Sequence, residues 1–121
     1  MKYKVVVNII NHHLDKDEFE EAFKTANEHK DTPYREDFSK TGGEGFMEMT
    51  TELTQIGKNL KLEMVYTGEG KTFEEKSAGI KRLIESGELQ RGLLYDSAAD
   101  INNPAAKKKA DKITATIVQI G

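Results

Sequence analysis

The chain has 121 residues, a length at which one domain can bury a core without covalent cross-links. Hydrophobic residues make up 36% of it and charged residues 32%, so we expect a folded domain with a small core. The absence of cysteine excludes disulfides, thiolate metal sites and cysteine nucleophiles. The formal net charge of -3 gives no overall positive field for nucleic acid.

The first predicted element is a strand over residues 3–10. Its β-branched run of valines and isoleucines is apolar on both faces for most of its length, which is typical of a central strand. The apolar stretch is too short for the core of a signal peptide or for a membrane span. We therefore expect a cytoplasmic protein with no membrane contact.

A helix is predicted next, from Asp15 to about His29. Asp15 and Glu18 have the spacing of a capping box, and apolar residues recur behind them at helical intervals. Residues 30–45 follow, and their glycines, aspartates and proline favour a loop over any packed element.

Residues 46–67 allow two interpretations, because the apolar residues of 46–56 also fit a helix. Three threonines disfavour that helix, and Gly57-Lys58 suits a type II′ turn between two strands. In the resulting hairpin Leu53 faces Leu62 and the apolar side chains share one face, whereas a slip of one residue would separate them. The sequence therefore favours a hairpin.

The C-terminal half predicts a second helix, capped by Thr72 with Glu75 and ended by Gly87. Residues 91–95 are predicted as a short strand, 96–111 as a loop or frayed helix, and 113–120 as the last strand. The order then predicts one α+β domain over residues 1–121, with flexible loops at about 31–45 and 96–111. It matches the βαββαβ split of the ferredoxin-like fold, with two helices on one face of an antiparallel sheet.

A turn between a strand and a helix is one candidate ligand site. Gly70-Lys71-Thr72 looks like the end of a Walker A phosphate loop, and Thr67 and Gly68 precede it. The first glycine of that motif is replaced by Val65, so a capped turn is the favoured interpretation. A small anionic ligand or a nucleotide is the alternative.

Adjacent histidines provide a candidate metal site. His12 and His13 follow the first strand, with Asp15 and Asp17 nearby, and these are ligand types that zinc accepts. Neighbouring side chains of an extended segment point in opposite directions, which argues against a shared ion. A histidine general base is considered on the same residues.

Two further groups of residues suggest partner binding. The predicted hairpin places Glu52 opposite Glu63 on the face away from the apolar one, where like charges are unfavourable unless solvent screens them or a cationic partner binds. Tyr34, Arg35 and Phe38 give the 31–45 loop an aromatic and cationic character suited to a partner. A solvated connector is the other interpretation of that loop.

The chain shows no convergent catalytic set, and we expect no cofactor. The sequence favours a non-catalytic binding or regulatory module. It would act through the open sheet face and the 31–45 loop on a protein partner or on a second copy in a homodimer. The alternatives are a small-ligand or nucleotide binder using residues 67–72 and a histidine-centred metal protein or enzyme. The lysines at 107–109 lack interleaved aromatic residues, which argues against nucleic acid.

Overall fold

The computed structural model describes residues 1–94 and 109–121, which form a five-stranded antiparallel sheet with three α-helices. In chain order the elements are β1 (Lys2–His12), α1 (Lys16–Asn27), β2 (Tyr34–Asp37), a 3-10 turn (Phe38–Thr41), β3 (Phe46–Ile56), β4 (Asn59–Glu69), α2 (Lys71–Ser86), α3 (Glu88–Leu94) and β5 (Ala110–Gln119). The strand order is β2-β3-β4-β1-β5. No helix in the described part of the chain is both long and apolar enough to cross a membrane.

The predicted βαββαβ ferredoxin-like split is wrong, although the α+β class is correct. The sheet has a fifth strand, β2, and the chain has a third helix, α3. Strand β2 lies inside the segment predicted as a loop, where it pairs with β3 from Tyr34–Met49 to Asp37–Phe46. Residues 91–94 of the segment predicted as a short strand at 91–95 belong to helix α3. Most of the predicted 96–111 loop lies outside the described residues.

The hairpin prediction is confirmed in every pair. Leu53 is opposite Leu62, Gln55 is opposite Leu60, and Glu52 is opposite Glu63. Gly57 has φ 62, as the first central position of a type II′ turn requires. The turn chemistry and the alternation of apolar residues therefore determine the same register.

One face of the sheet carries the core and the helices. Paired residues of neighbouring strands share a face, so Val5 and Val7 of β1 lie on the same side as Leu62 of β4. The buried cluster joins these valines to Phe73 and Ile84 of α2 and to Phe38 of the 3-10 turn. We call the other side of the sheet the open face.

The predicted boundaries of α2 need one correction. Gly70, with φ 98, is the N-cap, and no side chain caps this helix, so Thr72 does not play the predicted capping role. Thr72 lies inside the first turn, where its Oγ1 accepts a hydrogen bond from the Glu44 backbone N–H at 2.9 Å. At the other end Gly87 is the left-handed cap that its position predicted.

Candidate functional site

The largest described cavity is a cleft between α1 and the sheet, with a volume of about 570 Å³. Strands β1, β3 and β4 form its floor and α1 forms one wall. Its size lies in the range of small-molecule sites, which are mostly apolar with a few polar groups. We call this the α1 cleft; its lining residues are Ile9, Leu14, Ala22, Thr25, Ala26, Glu28, His29, Tyr34, Met49, Thr51, Leu53, Leu60 and Leu62.

The cleft exists because α1 does not fill the space above the sheet. None of the residues of α1 is buried, and Phe23 remains 43% exposed. The residues of α1 that line the cleft are Ala22, Thr25 and Ala26, and the short side chains of the two alanines fill little of the space above the floor. Of the aliphatic floor residues, Leu53 and Leu60 are buried, at 5% and 3% exposed, whereas Ile9, Met49 and Leu62 stay partly exposed in the cleft.

Three sets of contacts define the two ends of α1. Asp15 accepts a hydrogen bond from the Glu18 N–H at 2.8 Å, which completes the predicted capping box at its start. The ring of Phe19 stacks on that of His12 with centroids 5.6 Å apart. At its end the Asn27 side chain bonds to the backbone of β3. These contacts fix both ends of the cleft wall.

The polar groups of the cleft gather near the C-terminal end of α1. The Nδ1 of His29 lies 3.0 Å from the backbone oxygen of Thr32, and its ring meets the ring of Tyr34 edge-on at 5.6 Å. Glu28 is in the lining beside them. The cleft therefore combines an aliphatic floor with a polar group at this end, and Thr25 and Thr51 add two hydroxyls to its lining.

A smaller cavity of about 370 Å³ lies between α2 and the sheet. Tyr3, Ser77, Ala78 and Ile117 are among its lining residues. Tyr66 stacks on Tyr3 behind it, and burial raises the pKa of the Tyr66 hydroxyl. This second cavity provides a comparison for experiments on the α1 cleft.

The two histidines of the predicted metal site take different partners. His12 stacks on Phe19, while the Nε2 of His13 lies 2.8 Å from Asp111. Asp111 also accepts a hydrogen bond from the Asn11 side chain at 2.6 Å. Among residues 1–94 and 109–121, no three histidines or carboxylates are grouped as a metal would require. The metal site therefore stays a prediction on two separated side chains.

The predicted phosphate turn packs against residues 42–45. The Thr72 N–H donates to the Glu44 carbonyl at 3.3 Å, in addition to the bond that its hydroxyl accepts. A Cβ on Gly68 would lie 2.4 Å from the ring of Phe73, so this glycine leaves room for a core aromatic. Thr67 and Lys71 lie at the two ends of the turn, at the end of β4 and the start of α2. The geometry gives structural roles to Gly68, Gly70 and Thr72.

The facing carboxylates on the open face are neutralised separately. Glu63 lies 2.8 Å from Lys61 and 3.7 Å from Lys4, and Glu52 lies 3.5 Å from Lys30. The hydrogen bond from Lys61 lowers the pKa of Glu63, and the charge of Lys4 adds to the effect. The predicted pairing of Glu52 with Glu63 is therefore confirmed, and lysines of the same chain offset the repulsion between the two carboxylates.

The other predicted partner-binding residues, Tyr34, Arg35 and Phe38, lie in three different parts of the structure. Arg35 bonds to Glu48 on the open face and also lies over the ring of Phe46, 4.6 Å from its centroid. Phe38 is 1% exposed and belongs to the core. Tyr34 points to the opposite side from Arg35 and lines the α1 cleft. The 31–45 segment therefore contributes one aromatic residue to the cleft.

Sequence reasoning missed the α1 cleft, whose lining comes from β1, α1, β2, β3, β4 and the segments beside them. One signal was available: the alanines at 22 and 26 place small residues on the inner side of an otherwise amphipathic helix. Comparisons with protein-family models, curated proteins and solved structures found no match.

Proposed function

We propose that the chain is a small binding domain that holds an elongated apolar molecule with a neutral polar end in the α1 cleft. The observation that carries this proposal is the 570 Å³ volume over a floor of leucine, isoleucine and methionine side chains. Such a lining supplies binding energy through apolar burial and offers few groups for chemistry. The proposal therefore favours binding over catalysis, as the sequence did.

The polar end of the cleft supports the choice of a neutral ligand. Glu28 would repel a carboxylate placed beside it, whereas His29 and Tyr34 offer hydrogen bonds to a hydroxyl or carbonyl. The volume limits the ligand to one small molecule. A straight alkyl chain with a terminal hydroxyl represents this class.

The open face supports a partner site less well than the cleft. Three of its carboxylates already have lysine or arginine partners within the chain: Glu48 with Arg35, Glu52 with Lys30 and Glu63 with Lys61. A docking protein would have to replace these contacts with equivalent ones. The anion-binding and metal-binding alternatives remain predictions beside the main proposal.

The test is fluorescence titration with N-phenyl-1-naphthylamine, a neutral apolar dye, followed by displacement with straight-chain alcohols. Each additional buried methylene contributes about 0.8 kcal/mol, so affinity should rise roughly fourfold per carbon until the cleft is full. An alcohol should displace the dye better than the carboxylate of equal length. Absence of saturable dye binding would contradict the proposal.

A matched pair of variants determines which of the two cavities binds the dye. Ala26→Phe puts a ring into the α1 cleft and should weaken dye binding at least about tenfold. Ala78→Phe makes the same change on α2, beside the smaller cavity, and should leave the affinity unchanged. The reverse pattern would assign the dye to the smaller cavity and overturn the proposal.

A further inference from the structure

The two edges of the sheet differ in how they are protected. The outer strand on one side, β2, has four residues, of which Arg35, Glu36 and Asp37 are charged. Short and charged edge strands resist pairing with other chains. Beyond the end of β2, the side chain of Asn27 bonds to the backbone of Leu53 in β3. This side of the sheet is therefore poorly suited to adding a strand.

Strand β5, at the other edge, has ten residues, and residues 113–118 (ITATIV) include no charge and no proline. Its one strand neighbour in the described part of the chain is β1. Long, uncharged β-branched edge strands are the ones that accept another strand.

The backbone pattern shows which groups of β5 face outward. The Ile120 N–H donates to the Lys2 carbonyl at 2.8 Å, and β1 pairs Lys4 with Val118 in the same register. Because alternate residues of an antiparallel strand bond to opposite sides, the N–H and C=O groups of Ile113, Ala115 and Ile117 point away from β1. In the described part of the chain, where α3 also packs against β5, no strand bonds to these outward groups, and they form a ladder that a further strand could extend.

We infer that a second copy of the chain pairs with this edge, so that two β5 strands run antiparallel about a twofold axis and join two sheets into one. Antiparallel pairing of identical strands satisfies both copies at once, as an isologous interface requires. With the axis at Ala115, Ile113 faces the second copy's Ile117 on the helix side. Thr114 then faces the second copy's Thr116 on the open face.

This register places isoleucine opposite isoleucine and threonine opposite threonine. Isoleucine pairs and threonine pairs across antiparallel strands are favourable, and no like charges meet between residues 113 and 118. The interface does not use the α1 cleft, so this inference is independent of the proposed ligand. It assigns the self-association expected from the sequence to an edge of the sheet and not to its open face.

The test is sedimentation equilibrium over a wide range of concentrations. The chain of 13.6 kDa should shift toward twice that mass as concentration rises. Thr116→Lys, exposed on the open face, would place two lysines diagonally across the axis and should weaken dimerisation about tenfold or more. Thr54→Lys adds the same charge to the same face on the other side of the sheet and should have no effect.

Hydrogen exchange provides the second readout, because it identifies the edge directly. The amides of Ile113, Ala115 and Ile117 should exchange more slowly at concentrations where the dimer forms. A chain that stays monomeric at millimolar concentration would overturn the inference. So would a dimer that Thr116→Lys leaves intact, or one whose formation does not protect these three amides.

Discussion

The side chain of Asn27 pairs with the backbone of Leu53 as a neighbouring strand would. Its Oδ1 accepts from the Leu53 N–H at 3.0 Å and its Nδ2 donates to the Leu53 carbonyl at 3.3 Å. The same Nδ2 donates to the carbonyl of Phe23 at 2.9 Å, at the end of α1. One amide thus joins the end of the helix to the edge of β3.

We expect Asn27→Ala to destabilise the fold by about 1–3 kcal/mol, because it leaves both backbone groups of the buried Leu53 without these partners. Asn27→Asp keeps the acceptor for the Leu53 N–H and loses the donor, so its effect should be intermediate. Urea denaturation followed by circular dichroism measures both. Equal stability of all three proteins would show that the Asn27 contacts contribute nothing.

The close approach of two chain segments gives a second prediction. Gly45 has φ 94, and a Cβ there would lie 1.8 Å from the carbonyl oxygen of Glu69. Gly57 also has positive φ, 62, but a Cβ there would meet nothing within 4 Å. Gly45→Ala should therefore combine backbone strain with a clash, whereas Gly57→Ala has strain alone.

The strain at Gly57→Ala should cost about 1–2 kcal/mol. Gly45→Ala should cost at least about 2 kcal/mol more. The segment before β3 must move away from Glu69 and Gly70, between β4 and α2, to make room for the methyl group. Thermal denaturation of the two variants under one buffer condition gives the comparison. Equal losses would mean that residues 44–45 and 69–70 are not in close contact.

The ion pairs of Glu63 predict a pH dependence of stability. A carboxyl with a lowered pKa in the folded state adds stability above its unfolded pKa, and this is lost as pH falls through the folded value. Glu63→Gln should therefore be less stable than the parent at pH 7, by less than about 1 kcal/mol because the pair is partly exposed. The difference should shrink below about pH 4.5 and vanish in stronger acid.

A double-mutant cycle with Lys61→Gln attributes the effect. If the Lys61–Glu63 hydrogen bond is its main source, Glu63→Gln should cost less when Lys61 is already absent. A cost that is independent of pH, or the same in both backgrounds, would contradict this origin.

The parts of the fold that sequence predicts are those decided by local chemistry. The β3–β4 register follows from Gly57 and from the alternation of apolar residues around it, and the start of α1 follows from Asp15 and Glu18. The end of α2 follows from Gly87 for the same reason. Each of these signals lies within a few residues of the feature that it determines.

The missed elements depend on distant contacts. Residues 34–37 carry no strand pattern, and β2 forms because its backbone completes the ladder of β3 while the adjoining Phe38 enters the core. The α1 cleft was missed for the same reason, because Ile9, Ala26 and Leu62 become neighbours only in the folded chain. At the start of α2, the spacing of Thr72 and Glu75 mimics a capping box, while the contact with Glu44 determines what Thr72 does.

The most direct test of the ligand site is a methyl-resolved NMR titration of the folded chain with 1-dodecanol. Binding in the α1 cleft should cause saturable shifts in the methyl signals of Ile9, Leu60 and Leu62, which line it. Ile117 and Ala78, beside the smaller cavity, should stay unperturbed. Shifts centred on Ile117 and Ala78, or none in the cleft residues at saturating alcohol, would show that the α1 cleft is not the ligand site.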